Sequence, residues 1–345
     1  MCVKDTGTKY QLWISDFNID GTFTRVHPFI ISHTKTMTRT REDGKEEVFS
    51  ACIKPDDTRY LGGNKSSSVV AIKLQGRPRT GINYDKANEF CANRGDWITM
   101  IDYLEYCALQ ALCYIEYANF NNQAALNTNL TSDGFKQGGL GAGVTNLAWD
   151  RWTAFNGNNP IVQTYWTAEH NIGNGSTNGD HYELGNYNAD GSNLNTYPAV
   201  YRGILNFFGD IWTFIRDVVI VNRNANYNSV YLLKKGVNHA DITIDNIQDK
   251  CYFIGDQTNS NNFITEFDFR FGPYFIPNKV GTNKKADYNW IRGNNGQDTD
   301  KAVRVLLLGG IASNGSGAGS GYFNSGWVRS DSGADVGFFT TVKLD

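Results

Sequence analysis

The acidic residues of one loop-rich segment are the first whose spacing could support a reaction. Glu169, Asp180 and Glu183 lie within TAEHNIGNGSTNGDHYELG, and a pair of carboxylates hydrolyses a glycoside when the fold places one on each side of the bond. Spacing alone does not reveal such a pair, and solvated loop acids are the more common interpretation. The chain has no G-x-S-x-G, no phosphate-binding glycine loop after a strand and no H-E-x-x-H. We therefore predict a protein that is not an enzyme and needs no cofactor.

A segment near the C-terminus has the composition of a binding surface. Residues 313–335, SNGSGAGSGYFNSGWVRSDSGAD, are mostly Ser, Gly, Asn and Asp. Tyr, Trp and Arg dominate binding energies, and small polar residues supply adaptable hydrogen bonds around them. We predict an exposed binding loop centred on Tyr322, Trp327 and Arg329. The alternatives are a plain Gly/Ser-rich loop and a Trp327 that lies in the core. The predicted ligand-binding residues are Asn314, Ser316, Ser320, Tyr322, Asn324, Ser325, Trp327, Arg329, Ser330 and Asp331.

Two stretches contain part of a calcium-binding pattern. Residues 16–21 read D-x-N-x-D-G, but the twelfth position of that loop, which needs a bidentate carboxylate, is His27. Asp20-Gly21 lies between apolar runs and favours a β-hairpin, and NYNADG (186–191) favours an Asn-rich turn. We therefore predict no metal site.

The cysteines and charges narrow the class of protein. The six cysteines show no C-x-x-C spacing, which favours buried thiols, with a bond from Cys91 to Cys107 or Cys113 as the alternative. The net charge is −3 without a basic block, so nucleic-acid binding is not expected.

The most apolar stretch, YRGILNFFGDIWTFIRDVVI (201–220), is interrupted by charges, so we expect no membrane insertion. The first residues lack the pattern of a signal peptide, and synthesis in the cytoplasm is expected.

Local patterns predict the elements that must position these residues. Residues 8–32 read as β structure, and 34–48, which contain a second Asp-Gly turn, as a hairpin or a solvated loop. Asn83 is a candidate helix cap, and a longer helix is expected from a capping box at Thr99–Asp102 to near Asn119. Residues 121–200 are irregular. The first helix should bury Tyr84, Ala87, Phe90 and Cys91, and the second Ile101, Leu104, Ala108, Ala111, Leu112 and Ile115.

Three blocks of the chain resemble a known family. They are GDWITMIDYLEYCALQAL (95–112), YRGILNFFGDIWTFIRDVVI (201–220) and RVLLLGGIASNGSGAGSGYFNSG…GADVGFF (304–339). They are similar to blocks of the C-type-lectin-like fold in formylglycine-generating-enzyme relatives, especially phage and bacterial variable receptor-binding proteins. HPFII (27–31) corresponds to the first core strand of that fold. In 201–220 the resemblance implies a turn at Gly203 and Gly209 and a core strand with Trp212 and Phe214 buried.

The resemblance implies an α+β fold, a twisted antiparallel sheet with two helices and extensive loops. It implies one domain over 1–345, with N-terminal β hairpins at 1–75 and a lectin-like core at 76–345 that carries insertions near 133–200 and 221–290. The enzymes of the family hold copper with two late cysteines, whereas this chain has no cysteine after Cys251. The residues for family-type catalysis are therefore missing.

The function that the resemblance implies is host attachment. The chain would be a virion protein of a phage tail or head fibre, made in the host cytoplasm, that displays a variable C-terminal surface to a bacterial polysaccharide or protein. In some relatives a diversity-generating retroelement alters adenines in this block and turns Asn codons into Ser, Gly, Asp or Tyr codons, and the composition here fits that trait. Other virion proteins and further copies of the chain, as in a trimer, are the expected partners. A bacterial surface or secreted lectin-like adhesin and a carbohydrate-active enzyme using loop carboxylates are the alternatives.

Overall fold

The computed structural model describes the core of the chain and the strands that surround it. The described residues are 2–5, 10–13, 29–32, 37–40, 46–49, 81–93, 98–125, 128–130, 134, 136, 170–171, 199–201, 204–205, 207–209, 211–224, 226–282, 287–292, 302–333 and 335–343. Within them the helices are α1 (Tyr84–Ala92), α2 (Tyr103–Tyr117) and α3 (Ile247–Lys250), and 3₁₀ turns lie at Asn122–Ala125, His239–Asp241 and Ala312–Gly317. The strands are β1 (Cys2–Asp5), β2 (Tyr10–Trp13), β3 (Phe29–Ser32), β4 (Met37–Thr40), β5 (Glu46–Phe49), β6 (Ile98–Met100), β7 (His170–Asn171), β8 (Ala199–Tyr201), β9 (Ile204–Leu205), β10 (Trp212–Asn222), β11 (Tyr227–Leu233), β12 (Cys251–Thr258), β13 (Asn262–Asp268), β14 (Ile276–Gly281), β15 (Tyr288–Trp290), β16 (Val303–Leu308), β17 (Phe323–Val328), β18 (Val336–Gly337) and β19 (Thr340–Lys343).

One large mixed sheet forms the centre of the described fold. Its strand order is β12-β11-β10-β16-β17-β15-β13-β14, and β18 pairs with β10 beside this path. The pairings are antiparallel except for β15 with β17 and β10 with β18, which are parallel. The end strands β12 and β14 contact each other, so the sheet is nearly closed. Strands β11 to β15 of this sheet lie between residues 227 and 290, within the segment near 221–290 that the resemblance assigned to an insertion.

Strand β10 lies inside the sheet, between β11 and β16, and side chains on both of its faces are buried. Ile215, Val218 and Ile220 belong to the core cluster under α2, and Trp212 and Phe214 belong to a second cluster against α1. A strand that is covered on both sides reads as a continuous apolar run rather than an alternating one. This accounts for the apolar composition of residues 212–221, and the prediction that Trp212 and Phe214 are core aromatics is confirmed.

Helix α1 forms as its sequence predicts. The side chain of Asn83 accepts a hydrogen bond from the backbone N–H of Lys86 at 2.9 Å, which satisfies one of the free donors at the helix start. The predicted face is the buried one, formed by Tyr84, Ala87, Phe90 and Cys91.

Helix α2 is confirmed, but its cap differs from the predicted one and its buried face matches the prediction only in part. The capping box consists of Asp102 and Glu105, because residues 98–100 form strand β6 and the helix begins only at Tyr103. The buried face is formed largely by tyrosines and cysteines whose polar tips find partners in the core, whereas the apolar Ile115 is 42% exposed. Of the predicted face, Ile101 and Ala111 are buried, and Leu104, Ala108 and Leu112 are half-buried. The buried residues of α2 are Tyr103, Glu105, Tyr106, Cys107, Leu109, Gln110, Ala111, Cys113 and Tyr114.

The terminal segments form smaller sheets. Strands β4 and β5 pair antiparallel around Asp43-Gly44, which confirms the hairpin interpretation of 34–48. Strand β3, which contains the end of HPFII, pairs with the last strand, β19, and β19 also pairs with β6. The turn at Asp20-Gly21 and both partial calcium patterns lie outside the described residues, as does most of 133–200.

Sheet dominates and helices are few within the described chain, so the broad α+β prediction is confirmed. Cys91, Cys107, Cys113 and Cys251 are buried free thiols. None of the described helices has the length and apolar character needed to cross a bilayer.

Candidate ligand-binding site

The C-terminal segment lies mostly inside the protein. Strand β17 is flanked by β16 and β15 in the middle of the sheet, and its first four residues are buried. Tyr322 is only 5% exposed, and Ser320, Asn324 and Ser325 are also buried. The prediction that these four side chains are displayed on an exposed loop is therefore wrong.

The glycines of this segment are required by close packing. A Cβ atom on Gly321 would lie 2.5 Å from Tyr114 Oη and 2.7 Å from Gln110 Nε2 of helix α2. A Cβ on Gly326 would meet the ring of Trp290, with its Cη2 atom at 2.7 Å. Small residues therefore occur here because helix α2 and Trp290 pack directly against the backbone. The same composition would be expected of an adaptable binding loop, and this explains the wrong prediction.

A buried polar network holds the segment against helix α2 and the turn after it. The carbonyl oxygen of Ser320 accepts a hydrogen bond from Tyr106 Oη at 3.0 Å, while its N–H and Oγ donate to Asn122 Oδ1 at 2.7 and 2.5 Å. Gln123 Nε2 donates to the carbonyls of Gly315 and Ala318 at 2.8 and 2.7 Å. The segment is consequently a rigid frame.

Asp287 completes this network as a buried carboxyl group. It accepts hydrogen bonds from Tyr114 Oη and, at 3.3 Å, from the N–H of Gly321. Burial raises the pKa of Asp287 to about 7, although both hydrogen bonds act to lower it. The carboxyl group thus takes up a proton on folding near neutral pH.

We expect Asp287→Asn to flatten the pH dependence of stability. The folded pKa of about 7 lies above the ordinary value of 3.8, so the contribution of Asp287 is fully present below about pH 4 and is lost as the pH rises through 7. Asparagine cannot titrate and tolerates the positive φ of 77° at this position. Urea unfolding of both proteins across this pH range should show the free energy of unfolding falling less steeply in the variant. Parallel curves would contradict the prediction.

The exposed end of the segment reaches helix α1. Trp327 is half-buried and packs against the core cluster of α1 and β10, which agrees with the alternative that placed it against the core. Arg329 Nη1 lies 3.3 Å from Asp85 Oδ1, with both side chains partly exposed. Asp331 Oδ2 accepts from the N–H of Val328 at 2.9 Å and so closes the turn that presents Arg329. Ser330 is exposed, and Asn314 and Ser316 are half-buried in the 3₁₀ turn.

An open cavity of about 670 Å³ lies beside Arg329. Helix α1 and strand β6 form one wall, and the turn of residues 233–240 after β11 forms the other. Arg216 of β10 also lines it. Of the ten predicted ligand-binding residues only Arg329 lines this cavity, which we call the α1 cavity. Its other polar lining residues include Tyr84, Asp85, Asn88, Arg216, Asn238 and His239.

A shift in strand pairing places Arg216 at the cavity. The register between β10 and β16 shifts between Ile215 and Ile220, and the N–H of Arg216 donates instead to the carbonyl of Ile101 at 3.0 Å. Arg216 Nη2 binds Asp102 Oδ2 at 3.2 Å, while Asp102 also caps helix α2. The next residue, Asp217, accepts from the N–H of Tyr103 at 2.9 Å, and its pKa is raised to about 6, first by burial and then by Asp102.

A short turn places His239 opposite. The side chain of Asn238 caps the 3₁₀ turn by accepting from the N–H of Ala240 at 3.0 Å. The ring of His239 packs on Tyr84 with centroids 5.0 Å apart, and Tyr84 Oη donates to the carbonyl of Arg216. Burial lowers the pKa of His239, so the imidazole is neutral at pH 7.

Two buried nitrogen atoms of the cavity residues have no hydrogen-bond partner in the described structure. They are Arg216 Nε and His239 Nε2. Buried polar atoms are nearly always hydrogen-bonded, so each unpaired atom calls for an explanation. Within the described part of the chain, no group of His, Cys, Asp and Glu residues is arranged to hold a metal ion.

The chain matches no family model, and no curated protein matches it significantly.

Proposed function

We propose that this protein is a non-enzymatic, receptor-binding protein of the C-type-lectin-like fold. In this role it is carried on a phage tail or head fibre, together with other virion proteins and further copies of itself, and attaches the particle to a polysaccharide or protein of the bacterial surface. The α1 cavity is the observation that carries the proposal.

The cavity supports binding because it joins an open volume to polar groups that are ready to contact a ligand. Cavities of roughly 300–1,000 Å³ that contain a few fixed polar groups are typical of small-ligand sites. Arg329 comes from the rigid C-terminal frame, and Arg216 and His239 come from elements that are held by backbone and capping hydrogen bonds. A ligand would therefore meet a preformed site, and little ordering is needed on binding.

The fold and the sequence blocks support the lectin-like part of the proposal. A sheet-dominated α+β core with α1 and α2 packed on it, and a first core strand paired with the last, is consistent with the expected architecture. Trp212 of the second block is buried, and Gly321 and Gly326 of the third block pack closely against neighbouring side chains.

Attachment to bacterial cells tests the proposal. Fluorescently labelled protein should bind saturably to cells of the host range, and Arg329→Ala should weaken this binding about tenfold, which corresponds to ~1.4 kcal/mol. Arg223→Ala is the matched control, because Arg223 is an exposed arginine that does not line the cavity. Equal loss in both variants would place the contact surface elsewhere.

Two further readouts separate the proposal from its alternatives. Antibodies to the protein should decorate fibres of phage particles, and particles without label would contradict the virion role. Incubation with purified surface polysaccharide should release no fragments. Release that disappears on changing Glu169 or Glu183, which lie outside the described residues, would establish an enzyme instead.

A further inference from the structure

We propose that Asp287 is a pH-sensitive latch for the turn that precedes strand β17. The protonated carboxyl group holds residues 312–321, which we call the latched turn, against helix α2 and strand β13. The latched turn opens locally when the carboxyl group loses its proton. The latch is independent of the proposed function, because no step in it involves a receptor.

Asp287 lies at the junction of three elements. Its N–H donates to the carbonyl of Gly317 at 3.2 Å, and its own carbonyl accepts from the N–H of Ile264 in strand β13, also at 3.2 Å. Its carboxyl group accepts from the N–H of Gly321 at 3.3 Å and from Tyr114 Oη of helix α2. Asp287 therefore connects two points of the latched turn to the sheet and to the helix.

The backbone of the latched turn packs directly on the carboxyl group of Asp287, which is only 2% exposed. A Cβ atom on Gly319 would overlap Asp287 Oδ1, and a Cβ on Gly321 would lie 2.9 Å from Oδ2. The carboxyl group thus fills the space that side chains at these two positions would take. Since the latched turn is its direct cover, moving this turn away would admit water to the carboxyl group.

The described titratable groups nearest to the carboxyl group are neutral tyrosines. Helix α2 contributes Tyr106 and Tyr114, and Tyr288 follows Asp287 in the chain. Burial raises the pKa of all three hydroxyl groups, so they stay protonated near pH 7. Strand β13 and the latched turn meet Asp287 through backbone groups.

Deprotonation would therefore leave a charge that is poorly compensated. Within the described residues no cationic side chain contributes to the pKa of Asp287, which burial raises to about 7. Lys284 and Lys285 precede it in the sequence and lie outside the described residues. A buried carboxylate without a paired cation is unfavourable, and hydration of the charge relieves that cost.

The latched turn is the element most easily moved away. Residues 313–321 read SNGSGAGSG, in which Ala318 is the one apolar side chain. The turn is held by hydrogen bonds from Gln123 to the carbonyls of Gly315 and Ala318 and from Ser320 to Asn122. Segments that bury little apolar surface open locally at a lower free energy than the whole domain.

Hydrogen–deuterium exchange of the full chain between pH 5 and pH 8 tests the latch. The reporters are the N–H groups of Ser320, Gly321 and Tyr322, which are hydrogen-bonded in the closed turn. Because the pKa of Asp287 is raised from 3.8 to about 7, its contribution to closure is lost as the pH rises through 7. After correction for the intrinsic pH dependence of exchange, protection of the reporters should fall by about tenfold or more. Constant protection would overturn the proposal.

Asp287→Asn separates the latch from other titrations. Protection of the reporters should no longer change with pH in this variant, because asparagine does not titrate. Asp249→Asn is the matched control, since Asp249 is an exposed acid outside the latched turn, and it should behave as the wild type does. An equal fall in protection in Asp287→Asn and in the wild type would overturn the proposal.

Tyr114→Phe supplies a test that keeps Asp287 in place. The hydrogen bond from Tyr114 acts to lower the pKa of Asp287. Removing this bond should therefore move to higher pH the point at which protection of the reporters stops falling. An unchanged point would show that the carboxyl group of Asp287 does not control the opening.

Strand β10 distinguishes local opening from unfolding of the whole domain. Residues 218–222 pair with β11 inside the sheet, so their N–H groups should exchange more slowly than the reporters at every pH. If the reporters exchange as slowly as residues 218–222, the latched turn opens only when the domain unfolds, and the proposal is wrong.

Discussion

Replacing Trp212 by alanine should lower the free energy of unfolding by about 3–5 kcal/mol, the usual cost of truncating a buried aromatic side chain. Trp212 is 5% exposed, and its ring meets Tyr322 edge to face with centroids 4.7 Å apart. It also begins the central strand, where its N–H donates to the carbonyl of Asp335 at 2.8 Å. A loss of this size is a large share of the free energy of unfolding of a typical domain, which is about 5–15 kcal/mol. The variant should unfold or aggregate.

Thermal and urea unfolding measure this effect. Phe271→Ala is the control, because Phe271 is 52% exposed and its truncation should change stability by no more than about 0.5 kcal/mol. A soluble Trp212→Ala protein with the melting temperature of the wild type would contradict the position of Trp212 in the core.

Tyr322→Ala is expected to have a similarly large effect on stability. The ring of Tyr322 lies between Trp212 and Tyr288, with centroids 4.7 and 5.4 Å away. Loss of the Tyr322 ring would leave a cavity between the rings of Trp212 and Tyr288. It should lower the free energy of unfolding by about 3 kcal/mol or more. A role in ligand binding predicts the opposite, a weak effect on stability and a strong one on attachment.

Tyr252→Ala is the matched control, since Tyr252 is 60% exposed on strand β12. Melting temperature and attachment to cells should be measured on both variants at the same protein concentration. If Tyr322→Ala melts like the wild type and loses attachment, Tyr322 is a contact residue after all.

Those parts of the fold that depend on local signals could be predicted from the sequence. The start and buried face of α1 follow from Asn83 and the helical period, and the hairpin of β4 and β5 follows from Asp43-Gly44. The buried tyrosines of α2 could not be predicted, because their burial depends on tertiary hydrogen bonds. Tyr103 Oη and Tyr106 Oη both donate to carbonyls of distant segments. A scale that counts only apolar residues misses this pattern.

The candidate site could not be predicted because its residues are distant in sequence. Asp85, Arg216, His239 and Arg329 are brought together by a helix, a shift in strand register and two turns. Arg329 alone was identified, from its place among Ser, Gly and Asn residues. In the sequence Arg216 is only a charge that interrupts an apolar run, and its position at a break in the β10–β16 pairing has no sequence signature.

Hydrogen–deuterium exchange tests most directly whether the α1 cavity is the binding site. The protein would be measured with and without the purified surface polysaccharide of cells to which it attaches. Exchange should slow in peptides covering residues 84–92, 233–240 and 327–331, and it should stay unchanged in residues 252–268, which do not line the cavity. Protection confined to residues 252–268, with none around the cavity, would contradict the account.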